Sequence, residues 1–231
     1  MKGTLYGVGV GPGAPELVTK KAVRVMEESD VIALPASGAG DCAALRIARR
    51  AADIEGKELL FLPLPMVRDG RALRQSREEA AKRLCRELEK GRQAAFLTLG
   101  DPTVYSTYLY LHRLVEEAGY PAYIIPGVPS FCAAAARLGE SLCENGEMLH
   151  IVPASYDGAL DALSLPGTKV LMKAGRTAAG LRDTLEKRDL LSRTRLVVDC
   201  GMEGEKVYPT LEGQEIPESY FSLYIIKDEE D

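Results

Sequence analysis

Thr4-Leu5-Tyr6-Gly7-Val8-Gly9-Val10-Gly11-Pro12-Gly13 is the stretch on which the fold turns. Its first seven residues form a short apolar run of strand character. The glycines and Pro12 then break that run into a tight turn, and from Thr19 to Glu28 the apolar spacing becomes helical. The same strand-turn-helix unit recurs through the first half. Strands are expected at Thr4–Val10, Val31–Leu34, Glu58–Leu62, Ala94–Leu99 and Ala122–Ile125. Helices are expected at Thr19–Glu28, Cys42–Ala52, Arg71–Lys90 and Tyr105–Glu117. In the third helix Leu73, Ala80, Leu84 and Leu88 form one stripe, and Gly91 supplies the stop; Gly119 does so for the fourth. Such alternation with short connections predicts a mostly parallel sheet covered on both faces.

After Pro126-Gly127-Val128-Pro129-Ser130 the pattern changes. An Ala-rich helix, Phe131–Leu138, precedes strands at Leu149–Val152, Lys169–Met172, Arg195–Asp199 and Tyr220–Ile226, with helical patterns at Gly158–Leu163 and Ala178–Lys187. No crossover helix follows the last strand, so antiparallel pairing is expected there. The fold class read from this is two α/β domains, residues 1–123 with a mostly parallel sheet and 124–231 with a mixed one.

The 231 residues are ample for two small domains, and a hydrophobic fraction of 46% is enough to build cores, which excludes a disordered chain. No apolar run approaches the ~20 residues that cross a bilayer, and the amino terminus shows no signal-peptide pattern. A net charge of -5 argues against non-specific nucleic-acid binding. Five cysteines, odd in number and without C-x-x-C spacing, read as reduced thiols, and only His112 and His150 could add to a metal site, so no metal is expected. The expectation is a cytoplasmic protein with no membrane and no nucleic-acid partner.

Three segments could carry chemistry. The glycine-proline loop Gly7–Gly13 lies at a strand's carboxyl end, where ligands bind open α/β sheets. Its spacing departs from the dinucleotide fingerprint, and no acid stands at the end of the second strand to hold a ribose. Leu99-Gly100-Asp101-Pro102-Thr103-Val104-Tyr105 lies after the fourth strand, and Asp101 either turns the chain or faces a ligand. Ile125-Pro126-Gly127-Val128-Pro129-Ser130 leaves the fifth strand through a Pro-Gly turn and caps the next helix. Each is also what a plain tight turn requires; together they mark one sheet edge.

In this order and spacing the three segments, with Glu16-Leu17-Val18-Thr19 after the first, resemble the tetrapyrrole methylase family of S-adenosylmethionine-dependent methyltransferases. The likeness runs over essentially the whole chain. Pro65-Met66-Val67-Arg68-Asp69, the run Asp101–Leu111 and His150-Ile151-Val152-Pro153-Ala154 look most like the branch that methylates carbon 20 of precorrin-2 or cobalt-factor II in corrin (vitamin B12) synthesis. The resemblance implies a homodimer with S-adenosyl-L-methionine, released as S-adenosyl-L-homocysteine, in a cleft between the domains. Carried over residue by residue, its contacts are Pro12, Leu99, Gly100, Asp101, Val104, Pro129, Ser130, Met172 and Gly201. Lys20 replaces the family's usual aliphatic residue. Pro129 stands where a Ser or Thr is frequent, which removes a hydroxyl contact.

Methyl transfer from a sulfonium needs positioning more than a nucleophile of the protein's own. A weak base could help remove the proton that carbon 20 loses, and Tyr105, Asp69 and Asp101 are the candidates. The implied tetrapyrrole carries eight carboxylates, so Arg68, Arg71, Lys173 and Arg176 are expected to pair with them. The alternatives are another methylase of the family (a different tetrapyrrole position, or an RNA or diphthamide acceptor) and a nicotinamide-dependent oxidoreductase.

Overall fold

The computed structural model describes residues 2–36, 42–65, 69–156, 158–175, 178–215 and 219–228. The chain divides into two compact units, Met1–Pro129 and Ser130–Asp231. The strand Ala122–Ile125 belongs wholly to the first, so the second unit starts a few residues beyond the boundary expected at 123/124.

The first unit runs β1 (Leu5–Gly9), α1 (Lys20–Glu28), β2 (Val31–Pro35), α2 (Ala43–Ala51), β3 (Glu58–Leu62), α3 (Gly70–Glu89), β4 (Ala94–Thr98), α4 (Tyr108–Glu117) and β5 (Ala122–Ile125). All five strands are parallel, in the order β3-β2-β4-β1-β5. Alternate residues of each strand face opposite layers. Val8, Ile32, Leu34, Ala95 and Leu97 pack against α1 and α2, while Leu5, Val31, Ala33, Ala94 and Phe96 pack against α3 and α4. Because β4 separates β1 from β2, the order differs from the dinucleotide-binding 3-2-1-4-5-6, in which β1 and β2 are neighbours. The connection after β1 leaves toward β2 and the one after β4 leaves toward β5. The two connections leave to opposite faces of the sheet, α1 in one layer and α4 in the other, which makes this neighbouring pair a topological switch point.

Local chemistry sets the element ends. Thr19 Oγ1 accepts from the Ala22 N–H at 3.1 Å and starts α1, and Asp69 Oδ1 accepts from the Arg71 and Ala72 N–H groups at 2.8 and 3.4 Å to start α3. α4 begins at Tyr108, later than its apolar pattern implies. Tyr105 adopts a left-handed φ of 47°, which keeps the preceding stretch out of the helix.

Tyr108 is wholly buried, and its hydroxyl donates to the Tyr123 carbonyl at 2.7 Å, while burial pushes the phenol far above its usual range. The ring lies on Gly7 so closely that a Cβ there would fall inside it.

The second unit contains α5 (Ser130–Leu138), β6 (Leu149–Pro153), a 3-10 turn (Ala159–Ser164), β7 (Thr168–Met172), α6 (Ala178–Lys187), β8 (Thr194–Val198), β9 (Lys206–Tyr208) and β10 (Ser222–Ile226). Its sheet order is β6-β7-β10-β8-β9. β6 and β7 are parallel and β10 is antiparallel to both neighbours, which gives the mixed sheet expected. β9 has no counterpart in the sequence reading; three residues on a sheet edge carry too little pattern. Leu171, Leu185, Leu196 and Tyr224 centre the core. Lys169, with a side chain only 3% exposed, pairs with Asp228, whose other oxygen accepts from the Gly167 N–H at 2.6 Å. No helix among the described residues is long and apolar enough to cross a membrane.

Two outcomes follow from this packing. Gly7→Ala is expected to cost roughly 2–3 kcal/mol in chemical denaturation. In a Tyr108→Leu background the same change should cost far less, because the ring it strikes is gone. Asp228→Ala should cost roughly 2–3 kcal/mol at neutral pH by leaving Lys169 buried and unpaired. The Lys169 ammonium holds the Asp228 carboxyl below its usual range, so as pH falls the unfolded chain takes up that proton first. The stabilisation is therefore complete at neutral pH. It should fade below about pH 4, where the melting temperatures of variant and parent converge.

Candidate functional site

In the first unit the loops after β1, β4 and β5 close on one another by backbone alone. Gly11 and Gly100 exchange two hydrogen bonds, 3.3 Å from the Gly11 N–H and 2.8 Å from the Gly100 N–H. Gly9, Gly100 and Gly127 approach so closely that a Cβ on Gly9 would lie 2.6 Å from the Gly127 nitrogen, and one on Gly127 would overlap the Gly100 carbonyl oxygen. Gly11 and Gly100 also sit at φ 72°, a conformation that glycine adopts without strain.

Asp101, 7% exposed, fastens this arrangement. Its Oδ1 accepts from the Thr103 N–H at 2.7 Å and from the Thr103 hydroxyl, closing an Asx turn, and its Oδ2 accepts from the Gly127 N–H at 2.9 Å. The carboxylate thus ties the second loop to the third. Thr19, which caps α1, adds a 3.5 Å bond from its hydroxyl to the Pro126 carbonyl. Pro12, Leu99, Gly100, Asp101 and Val104 all lie in these loops at the carboxyl edge, and Tyr105 stands 46% exposed at the end of the second. Pro129 ends the unit, three residues beyond Pro126.

In the second unit β6, β7 and β8 point the same way, so their carboxyl ends share one edge with the start of β10. β7 and β8 end alike: Met172 is followed by Lys173 at φ 57° and Val198 by Asp199 at φ 51°. Left-handed backbone at two non-glycine residues of one edge is strain of the kind that collects at binding loops. Burial draws the Lys173 amine below the usual lysine range.

Gly201, at φ 72°, donates its N–H to Glu205 Oε2 at 2.6 Å, and Glu205 Oε1 accepts from Arg137 Nε at 2.7 Å. Burial opposes the charge on Glu205, yet the Gly201 N–H and Arg137 outweigh it and hold the carboxyl below its usual range. Beside it, burial and the Glu205 charge push the Cys200 thiol up to about 11. Met172, Lys173 and Gly201 therefore lie at one edge of this sheet, and Ser130 opens α5.

Two of the expected carboxylate partners, Arg68 and Arg176, lie outside the described residues. Arg71 stands in the first turn of α3 and is exposed, while Asp69 beside it is engaged as the cap of that helix. His112 contacts the Tyr108 hydroxyl at 3.1 Å and Glu116 at 3.2 Å, and His150 contacts the Pro166 carbonyl at 2.9 Å. Among the described residues no three His, Cys, Asp or Glu side chains gather as a metal site. Sequence reasoning missed Thr103, the Gly127 N–H and Glu205 as organisers. Only the Asp-x-Thr spacing of the first could have been read locally.

The profile of the family described as Tetrapyrrole (Corrin/Porphyrin) Methylases matches residues 4–214. The chain belongs to that family. A cobalamin biosynthesis protein, CobIJ, of Mycobacterium tuberculosis is 34% identical over 97% of this chain, which spans only 46% of that longer protein. The cobalt-precorrin-2 C(20)-methyltransferase of Salmonella typhimurium is 32% identical over 98% of this chain and 97% of its own length. Among solved structures, the uroporphyrin-III C-methyl transferase of Thermus thermophilus complexed with S-adenyl homocysteine superposes with a TM-score of 0.71 at 22% identity, covering 98% of each chain. As a tetrapyrrole methylase the chain has its family's fold, two α/β units with one parallel and one mixed sheet.

The fastening role of Asp101 can be tested directly. An Asn amide at this position supplies one acceptor where two are used and turns a donor toward either Thr103 or the Gly127 N–H. Asp101→Asn should therefore loosen the joint and weaken S-adenosylhomocysteine binding by about tenfold or more in calorimetry, with a smaller effect on melting temperature.

Proposed function

We propose that this tetrapyrrole methylase is an S-adenosylmethionine-dependent C-methyltransferase that methylates carbon 20 of precorrin-2 or of its cobalt form, cobalt-factor II. The observation that carries the acceptor is the Salmonella relative of that name, matched over nearly the full length of both chains. The joined loops of the first unit support the cofactor. They offer backbone groups, Leu99, Val104 and Pro12, and the acid at their joint, Asp101, has both carboxylate oxygens engaged by protein donors. A site of this make-up suits a ligand held by shape and backbone partners, and it has no strong acid or base of its own to offer.

When bound, S-adenosylmethionine supplies a methyl group already activated on a sulfonium. Pro12, Leu99, Gly100, Asp101, Val104 and Pro129 in the first unit, and Ser130, Met172 and Gly201 in the second, are the residues assigned to hold it. The protein's task is to keep donor and acceptor carbon at attack distance and to exclude water, which contributes several kcal/mol, up to ~7–11 where alignment is complete. Asp101 and Asp69 hold backbone, so the proton that carbon 20 releases passes to solvent or to Tyr105. Arg71 and Lys173 are the described cations assigned to acceptor carboxylates. The same reading carries a cytoplasmic homodimer, and five free cysteines accord with a reducing compartment.

The test is a mass spectrum of metal-free and cobalt-loaded tetrapyrrole after incubation with methyl-labelled S-adenosylmethionine. A single labelled methyl on one form is expected, and the form that gains it names the substrate. No gain on either form, with S-adenosylhomocysteine binding intact, would keep the cofactor and remove this acceptor.

A further inference from the structure

α3 carries Arg71, Arg74 and Arg77 at three-residue intervals, on about a third of the helix circumference. Arg77 falls on the inward stripe, between Leu73 and the buried Ala80, Ala81 and Leu84, where packing alone would place an apolar residue. Its guanidinium instead lies on the ring of Tyr110 of α4, with Cζ 3.5 Å from the ring centroid. Arg77 Nε is buried and makes no hydrogen bond. An unsatisfied buried donor is unfavourable, so stability does not explain an arginine here. What the stack does provide is a guanidinium plane fixed in advance, with in-plane donors set for the two oxygens of a carboxylate.

Height along the helix places these groups. α3 and α4 both run back from the carboxyl edge of the first sheet, where the joined loops lie. Tyr110 is the third residue of α4, whereas Arg77 is the eighth of α3. With Arg77 level with the first turn of α4, the six residues up to Arg71 rise about 9 Å past that turn on the side of the ligand loops. Arg92, Arg137 and Arg195 all pair with glutamates. Among the described residues Arg71, Arg74 and Arg77 form no ion pair, although Glu78 and Glu79 lie on the same helix. Three guanidiniums without an ion pair among the described residues, on a chain of net charge -5 and with Arg71 in the first turn of the helix, are a concentrated anion-attracting feature.

We propose that Arg74 and Arg77, the latter set by Tyr110, extend Arg71 into a wall that binds the carboxylate side arms of a polycarboxylate macrocycle. The wall determines specificity by carboxylate number and takes no part in the chemical step. The proposal rests on the tetrapyrrole reading above and deepens it.

The experiment is an absorbance titration of the full chain with uroporphyrin III, which bears eight carboxylates, and coproporphyrin III, which bears four, beside calorimetry with S-adenosylhomocysteine. Wild-type protein is expected to bind the eight-carboxylate ligand more tightly. Arg74→Gln and Arg77→Met should each weaken that binding by about tenfold and narrow the preference. S-adenosylhomocysteine affinity should stay unchanged in both, and the melting temperature of Arg77→Met should be unchanged or higher. Arg77→Lys, which keeps charge and loses the fork, should fall between. Arg74 is exposed, so its variant keeps the test alive should Arg77→Met fold poorly. Porphyrin affinity within twofold of wild type in Arg74→Gln and Arg77→Met, while wild type methylates tetrapyrrole, would overturn the wall alone. An equal loss of S-adenosylhomocysteine binding would assign the arginines a structural role instead. Wild-type protein that neither binds porphyrin nor methylates tetrapyrrole would overturn the proposed function and the wall with it.

Discussion

The first unit depends on a backbone approach that tolerates no side chain, where Gly9, Gly100 and Gly127 pack main chain against main chain. Parallel strands leave their carboxyl-end loops unpaired, and at a switch point those loops diverge and open a crevice. Here the Gly11–Gly100 hydrogen bonds bridge part of that gap, and Asp101 draws the third loop in through the Gly127 N–H. Because the carboxylate is buried and meets only donors, it fixes distance and direction at once. A site made this way is set by the fold before any ligand arrives, which is the condition for catalysis by positioning.

The second unit reaches a similar end by different means. Among the described residues no three glycines pack backbone against backbone at the edge that holds Met172 and Gly201. Two non-glycine residues, Lys173 and Asp199, take the left-handed turn in the same place on β7 and β8. Each such residue costs of order 1 kcal/mol, so something must hold it. For Asp199 the holders are visible: its N–H donates to the Phe221 carbonyl at 3.2 Å and its carboxylate accepts from Ser219 at 3.0 Å. Glu205 then gathers Gly201 and Arg137 beside it.

How much of this was legible in the sequence follows from the range of each interaction. Strand-helix alternation and the stops at Gly91 and Gly119 are local, and the structure places them where their residues imply. α4 starts at Tyr108 and not at Tyr105, where its apolar spacing begins, because the Asx turn and a left-handed Tyr105 override that spacing. Asp101 could be read as part of a ligand loop, but its bond to Gly127 spans 26 residues and leaves no trace in spacing. The Glu205–Arg137 pair spans 68 residues and is equally silent. Gly7 read as a turn glycine, yet what it accommodates is a buried tyrosine ring from a helix a hundred residues away.

The distribution of charge completes the argument. The carboxylate at the joint, Asp101, spends both oxygens on protein donors, Thr103 and the Gly127 N–H. At the start of α3, Asp69 caps the helix and three guanidiniums without an ion pair among the described residues follow on successive turns. Under the proposed function, a joint whose carboxylate is turned onto protein donors, with cations set farther out, suits transfer between a sulfonium and a polyanionic acceptor. A strong charge beside the sulfonium would stabilise or repel the reactant state, in which the positive charge is largest. Charge farther out binds reactant and transition state alike, and so gathers the substrate without raising the barrier. Under that proposal, recognition and chemistry are divided between elements of the first sheet's edge, helix α3 for the first and the glycine-built joint for the second.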